Sequence, residues 1–159
     1  MEASDEEKKG KTIVWVDHFS GVGGADYAIV LAPTDCTYDT TSCDSTALQA
    51  DDGNSVSTSK DEAIVVTSWN DSVTKCIGIN EVKVKINYDS ADGGQPIIEI
   101  SNDSATTWYS GCTGPSDQTD YTFLCDVTSF FDCSSINQIA TKVIHNDADG
   151  GKPSSFSLD

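Results

Sequence analysis

Two short turns hold the residues best suited to bind a cation. The string Ala-Asp-Gly-Gly occurs at 91–94 and again at 148–151, and each copy places carboxylates beside loop carbonyls. Calcium takes about six to eight oxygen ligands of these two kinds. The sequence is therefore compatible with a calcium site, whose candidate ligands are Asp89, Asp92, Asp147 and Asp149. The competing interpretation is a pair of tight turns in which aspartate accepts hydrogen bonds from its own backbone.

Groups suited to enzymatic catalysis are few. Only His18 and His145 could act as an imidazole base, and neither lies in a nucleophile or metal motif. Acidic residues are abundant, but none has the sequence context of a glycoside-hydrolase pair. We predict that the protein is not an enzyme, with a hydrolase as the third hypothesis behind two binding functions.

The cysteines predict a disulfide framework. Their number is six, no CxxC pair occurs, and the two histidines are too few for a zinc cluster. Disulfides persist in oxidising compartments, so we expect an extracellular or cell-surface protein. Sequence alone does not choose among the pairings. The short separations favour two local pairs, Cys36 with Cys43 and Cys112 with Cys125, which leaves Cys76 with Cys133 as the third. The alternative is that the cysteines are buried free thiols.

The charge restricts the partners. The chain carries 26 acidic and 9 basic residues, a net charge of −17. Nucleic acid and anionic membrane surfaces would be repelled by this charge. No stretch is long and apolar enough to insert into a membrane as a helix. The charge suits a cation, a basic partner or a salty medium.

Two sequons predict a glycoprotein in a host that glycosylates asparagine. Asn70-Asp71-Ser72 and Asn102-Asp103-Ser104 both have the Asn-x-Ser pattern. The candidate acceptors are therefore Asn70 and Asn102. Such triplets also arise by chance in a chain rich in serine and threonine.

The apolar pattern predicts many short strands and no long helix. Residues 1–11 are charged and read as a flexible arm, whereas Thr12-Ile13-Val14-Trp15-Val16 is β-branched and aromatic, as strands are. Clusters of Gly, Asp, Asn and Ser separate the later strands. We predict an all-β fold, a single jelly-roll-like antiparallel β-sandwich over 12–159, stapled by disulfides. Its further strands are Tyr27–Leu31, Ala63–Trp69, Ile79–Tyr88, Pro96–Ser101, Tyr121–Val127, Ile136–His145 and Ser154–Leu158.

An internal repeat relates two parts of the second half. At an offset of 57 residues, the segment 76–96 aligns without gaps with 133–153. Each segment begins at a cysteine, continues through an apolar run that starts with Ile-Asn, and ends in an Asp-Gly-Gly turn before proline. The pattern predicts two related strand units.

A third motif, at 101–108, has the spacing of an Asp-box, Ser-x-Asp-x-Gly-x-Thr-Trp, with Ala105 in place of the glycine. In such a hairpin the aspartate bonds the turn backbone and the tryptophan packs beneath it. One copy predicts a structural turn and no catalytic role.

From Val73 to Asp159 the chain resembles a jelly-roll module of bacterial, archaeal and phage surface, adhesin and appendage proteins. The matching strings, in order, are 76–82 (Cys-Ile-Gly-Ile-Asn-Glu-Val), 98–108 (Ile-Glu-Ile-Ser-Asn-Asp through Trp), 136–143 (Ile-Asn-Gln-Ile-Ala-Thr-Lys-Val) and 156–159 (Phe-Ser-Leu-Asp). The resemblance implies a non-enzymatic surface or appendage role without a fixed ligand.

One departure from that module suggests a mode of assembly. The family's last strand continues beyond the Leu-Asp pair, whereas this sequence stops at Asp159. A sheet without that strand would expose unpaired backbone, an edge that invites pairing. The segment formed by Thr12, Ile13, Val14, Trp15 and Val16 could fill the edge in its own chain or in a neighbour. Donation to a neighbour would be head-to-tail and would build a homopolymer.

The first hypothesis is thus a structural subunit of an extracellular filament, tube or sheath, assembled by strand complementation and optionally by calcium. The alternative is a carbohydrate-binding or adhesion module of a larger surface protein. That alternative requires an exposed aromatic side chain, although Trp15, Trp69 and Trp108 are more often core residues when they lie in strands.

Overall fold

The computed structural model describes residues 13–17, 29–38, 41–49, 54–74, 76–148 and 154–158. Across these ranges the chain forms two antiparallel sheets, and three disulfides connect its segments. The regular structure is almost entirely strand, with three short 3-10 helices. The prediction of an all-β, disulfide-stapled sandwich is confirmed. No helix among the described residues is long and apolar enough to cross a membrane.

The first sheet is built around one long strand. β7 pairs with three strands, β1, β10 and β12, while β2 pairs with β1 and β5 pairs with β12. The bounds of these six strands are β1 Ile13–Asp17, β2 Ile29–Leu31, β5 Val56–Thr58, β7 Glu81–Ala91, β10 Tyr121–Asp126 and β12 Ser155–Leu158.

The second sheet runs in the order β4, β3, β6, β11, β8, β9. Its strands are β3 Thr37–Tyr38, β4 Thr41–Ser42, β6 Ala63–Val66, β8 Gly94–Ser101, β9 Tyr109–Thr113 and β11 Ala140–Asp147. The 3-10 helices are Ser45–Leu48, Thr128–Phe130 and Ile136–Gln138.

Several predicted boundaries were wrong. The strand predicted from Ile136 begins only at Ala140, because Ile136–Gln138 forms a 3-10 turn. The strand predicted through Trp69 ends at Val66, and Trp69 lies in an isolated bridge with Pro33. The first strand starts at Ile13, while the predicted arm 1–11 and Thr12 lie outside the described residues. Four short strands were not predicted at all: β3, β4, β5 and β9.

The core lies between the sheets and follows the period of two expected of strands. Val82, Val84, Ile86 and Tyr88 of β7 are each 0 % exposed. They belong to one hydrophobic cluster with residues of the opposite sheet, such as Ile98. Burying an aliphatic side chain of this size stabilises the fold by roughly 1.5–3 kcal/mol. The alternation in β7 therefore fixes which face of this strand looks inward.

The disulfides have the predicted connectivity. Cys36–Cys43 closes the hairpin of β3 and β4. Cys112–Cys125 joins β9 of the second sheet to β10 of the first. Cys76–Cys133 joins the segments that precede β7 and β11. All six cysteines are paired, which is typical of a protein from an oxidising compartment.

The repeat seen in the sequence has a structural counterpart. The first unit contains β7 of the first sheet and leads into β8 of the second, and the second unit contains β11 of the second sheet and leads into β12 of the first. The leading strand of each unit pairs with the trailing strand of the other. The Cys76–Cys133 bond, with a separation of 57 residues, joins equivalent positions of the two units. The two units are thus mutually paired halves of one sandwich.

Candidate functional site

The strand β7 spans 11 residues and organises the first sheet. Its inward positions are β-branched or aromatic, and the outward positions at its start are Glu81 and Lys83, whose side chains form an ion pair of 2.5 Å. Such a sequence suits a strand with one buried face. Because β7 is longer than any of its partners, different strands cover different parts of it.

One edge of β7 is shared by two strands. β1 pairs with Glu81–Lys85, from Asp17 opposite Glu81 to Ile13 opposite Lys85. β12 pairs with Tyr88–Ala91, from Leu158 opposite Tyr88 to Ser155 opposite Ala91. Both are antiparallel to β7 and so run in the same direction.

The position of β10 shows that β1 and β12 lie on the same edge. β10 pairs with Lys83–Tyr88. At Lys83–Lys85 the strand β7 has β10 and β1 as simultaneous partners, and at Tyr88 it has β10 and β12. A strand has only two edges, so β1 and β12 both lie opposite β10. They are in line, and β1 occupies the stretch into which β12 would run if it continued.

β1 and β12 each have a further partner strand on the side away from β7. β2 pairs with the outer edge of β1, and β5 pairs with the outer edge of β12. β1 is therefore an interior strand, hydrogen-bonded on both sides, and its removal would separate β2 from β7. Backbone groups on both neighbours would then lose their partners, which is costly when they are buried.

The junction between β1 and β12 lies at Ile86 and Asn87. Asn87 is only 3 % exposed, and its Nδ2 donates to Asp120 Oδ1 at 2.8 Å. Its Oδ1 accepts no hydrogen bond from the described residues. Lys85, the last residue opposite β1, is 4 % exposed. Polar side chains are thus buried at the meeting point of the two strands.

The predicted aspartate ligands do not form a cation site within the described part of the chain. Asp89 Oδ1 accepts from the backbone N–H of Asp120 at 2.8 Å, and Asp92 sits in the turn with φ 53°. Asp147 Oδ2 lies 3.5 Å from Lys60 Nζ. No group of three or more acidic, histidine or cysteine side chains could hold a metal among these residues. Asp149, the fourth predicted ligand, lies outside them.

The Asp-box motif forms the expected turn. Asp103 Oδ1 accepts from the backbone N–H of Thr106 at 3.1 Å and of Thr107 at 2.7 Å, and from Ser101 Oγ at 2.7 Å. These bonds, led by the Ser101 hydroxyl, lower the pKa of Asp103 to about 2. Ala105 has φ 66°, a left-handed conformation that explains why glycine is usual at this position.

The two sequon asparagines differ. Asn70 is exposed, and its Oδ1 accepts from the Ala32 backbone N–H at 2.8 Å. Asn102 is half-buried, and its Nδ2 donates to the Phe130 carbonyl at 2.8 Å. Since Nδ2 is the atom that would carry a glycan, Asn70 is the more accessible of the two predicted acceptors.

His145, one of the two candidate bases, connects the two sheets. Its Nδ1 lies 3.0 Å from the Thr58 carbonyl, which can only accept, so Nδ1 carries the proton. Its Nε2 is then free to accept from Ser154 Oγ at 2.9 Å. The ring is 0 % exposed and packs on Phe156 with centroids 5.4 Å apart. Its observed contacts hold β11 against β5 and β12.

The tryptophans occupy different environments. Trp69 is half-buried and donates through Nε1 to the Ile139 carbonyl at 3.0 Å. Trp108 lies on the outer face of the second sheet, where Lys142 Nζ is 4.4 Å from the centroid of its ring. Lys142 also contacts Glu99 Oε2 at 2.6 Å. The sequence did not predict this cluster, because its members are brought together only by the pairing of β8 with β11.

Comparison with known proteins gives no further assignment. No protein-family model matches the chain, and a search of curated proteins finds no significant match. The resemblance of Val73–Asp159 to surface jelly-roll modules therefore stays a prediction that depends on the quoted strings.

Proposed function

We propose that the protein is a non-enzymatic structural subunit of an extracellular surface filament, tube or sheath, in which β1 is exchanged between successive copies. The observation that carries this proposal is the position of β1, in line with β12 on one edge of β7 and between β7 and β2. A strand supplied by another copy could make the same contacts there.

The connection between β1 and β2 supports the exchange. It comprises residues 18–28 and contains three glycines, Gly21, Gly23 and Gly24. Ordinary β-hairpin loops contain about two to five residues. A segment as long as 18–28 can extend to roughly 35–40 Å, enough for β1 to reach an adjacent copy. Because own-chain and exchanged pairing make the same contacts, local concentration and linker reach decide between them.

The disulfides support the location. Three covalent links in the described chain suit the oxidising exterior of a cell. All three join positions outside β1, so the remainder of the sandwich is held together when β1 leaves. A subunit that loses and regains a strand needs such a stable remainder.

The proposal gives calcium no obligatory part. Two of the four predicted ligands, Asp89 and Asp147, have partners within the protein. Strand exchange is the driving interaction, and an arm of the experiment with added millimolar calcium tests whether the ion contributes.

The experiment is removal of residues 1–17 followed by addition of a synthetic peptide of residues 12–17. Electron microscopy and sedimentation should detect polymers of the full chain, soluble monomers of the truncated chain, and binding of the peptide to those monomers. A matched control peptide carries Val14→Asp and Val16→Asp, two positions paired in register with Val84 and Val82 of β7. Polymers that persist without residues 1–17 would overturn the proposal.

A further inference from the structure

We infer that the outer face of the second sheet carries a binding site for a neutral sugar ring, centred on Trp108. The site is a groove of about 460 Å³ lined by Asp61, Ala63, Val65, Trp108, Lys142 and Ile144. It lies on the second sheet, whereas the β1 edge belongs to the first. The inference does not depend on strand exchange.

The floor of the groove is formed by two adjacent strands and is mostly apolar. Lys142 pairs with Val65, and Ile144 pairs with Ala63, so the four side chains lie on one face of adjacent strands. Val65 and Ile144 are half-buried. They form an apolar surface on a face that is otherwise open to solvent, and such a surface suits the C–H face of a sugar ring.

Trp108 forms a wall with a fixed orientation. It directly follows the Asp-box turn, whose backbone is held by Asp103 and by Ser101 Oγ, which accepts from the Ala105 N–H at 3.0 Å. The Lys142 ammonium lies against the ring. Because these bonds order the turn that leads into Trp108, less conformational entropy is lost on binding, which favours affinity.

Asp61 supplies a hydrogen-bond acceptor at the rim. It is exposed, with φ 64°, and its backbone N–H donates to the His145 carbonyl at 2.8 Å. Its carboxylate accepts no hydrogen bond from the described residues and is available to a hydroxyl group. Lys142, which also lines the groove, carries donors next to the Trp108 ring, so a donor and an acceptor accompany the apolar side chains, as is typical of small-ligand sites.

The charges disfavour an anionic ligand. The Lys142 ammonium is already paired with Glu99 at 2.6 Å, and Asp61 adds a second negative charge. With a net charge of −17 for the whole chain, sialylated, sulfated or phosphorylated ligands would be repelled. A neutral hexose or N-acetylhexosamine at the end of a surface glycan fits the groove best.

The test uses a printed panel of neutral hexose and N-acetylhexosamine oligosaccharides together with their sialylated and sulfated counterparts. The full chain should bind neutral members only, and calorimetry with the best of them gives the affinity. Asp61→Asn should weaken binding by about threefold to tenfold, since it replaces a charged acceptor by a neutral one. Asparagine tolerates the left-handed backbone of this position, so the turn should persist.

Trp108→Ala should weaken binding by more than about tenfold, because it removes the aromatic wall. Since that variant could loosen the hairpin, Asp61→Asn decides the question independently of folding. The control is Asp92→Asn, the same substitution at another left-handed aspartate with φ 53°, away from the groove, which should leave the affinity unchanged. Binding of acidic glycans alone, absence of neutral binding, or equal affinity of the Asp61→Asn variant and the wild type would overturn the inference.

Discussion

The two halves of the β7 edge are covered in different ways. Over Tyr88–Ala91 the partner is β12, whose Phe156 and Leu158 are 3 % and 1 % exposed. Phe156 also packs on Tyr88, with ring centroids 5.4 Å apart. Over Glu81–Lys85 the partner is β1, whose covalent connection to β2 is the segment 18–28. Side-chain packing thus fixes the β12 half, and in the proposed exchange the pairing of the other half is supplied by β1 of another copy.

The largest loss of folding stability should come from weakening the part of the β7 edge that β12 covers. Phe156→Ala removes a buried ring that contacts Tyr88 and His145, and such truncations cost about 3–5 kcal/mol of the free energy of unfolding. Chemical denaturation of the purified variant measures it. A loss of less than about 1 kcal/mol for Phe156→Ala would contradict the claim that side-chain packing fixes this half.

The next largest loss of stability should come from removing the disulfide that joins the repeat units. Replacing Cys76 and Cys133 by alanine opens a loop of 57 residues, for which chain entropy gives a loss of about 4 kcal/mol. Replacing Cys36 and Cys43 opens a loop of 7 residues and should cost about 2 kcal/mol. Thermal or urea unfolding compares the pairs, and an equal loss would contradict the dependence on loop length.

A smaller effect concerns the hydroxyl of Tyr88, which donates to the Pro115 carbonyl at 2.6 Å. Burial, with a contribution from Tyr121, raises the pKa of Tyr88 to about 12 from 10.0. The folded state therefore prefers the neutral phenol, and stability should be intact below pH 10 and lost as the pH rises toward 12. Tyr88→Phe should cost about 1 kcal/mol at neutral pH and should show less loss in that alkaline window. An unchanged alkaline profile would contradict this assignment.

The smallest change in stability should come from the Asp-box turn, through the titration of Asp103. The hydrogen bonds from Ser101 and Thr107 hold the pKa of Asp103 at about 2, below the ordinary 3.8. The contribution of the ionised Asp103 carboxylate to the stability of the fold is present above pH 3.8 and is lost as the pH falls through about 2. The amide resonance of Thr107, followed by NMR during acid titration, should shift in that window. In Asp103→Asn the shift should be absent, and its persistence would assign the titration to another group.

The sequence predicted the parts of the fold that have a clear period or a clear partner. The alternation of β7 and the long apolar runs identified the core strands, and the short cysteine separations identified two disulfides. Val56–Thr58 and Tyr109–Thr113 were missed because they are short and rich in serine, threonine or glycine, which are also the residues of turns. The strand predicted at Ile136 failed because an apolar residue there caps the core from a 3-10 turn.

The candidate sites were less predictable, since they depend on register. The sequence identified residues 12–16 as a closing strand, but only the pairing places β1 in line with β12. Likewise, no local pattern brings Trp108 next to Lys142, because they approach through the pairing of Glu99 with Lys142 on adjacent strands. The aspartate turns illustrate the opposite case, because their composition suggests metal ligands whereas Asp89 accepts from the Asp120 N–H and Asp147 lies near Lys60.

Disulfide trapping between two single-cysteine variants tests the exchange of β1 most directly. Trp15 and Lys83 are opposite each other in the register of β1 and β7, and directly opposed residues lie within disulfide reach, about 4.5–5.5 Å between Cα atoms. One variant carries Trp15→Cys and the other Lys83→Cys, and they are mixed before assembly. Exchange predicts covalent dimers of the two variants on a non-reducing gel. A variant that carries both cysteines serves as the control. If this control forms a crosslink within its own chain and the mixture of single-cysteine variants forms no dimer, the exchange of β1 is contradicted.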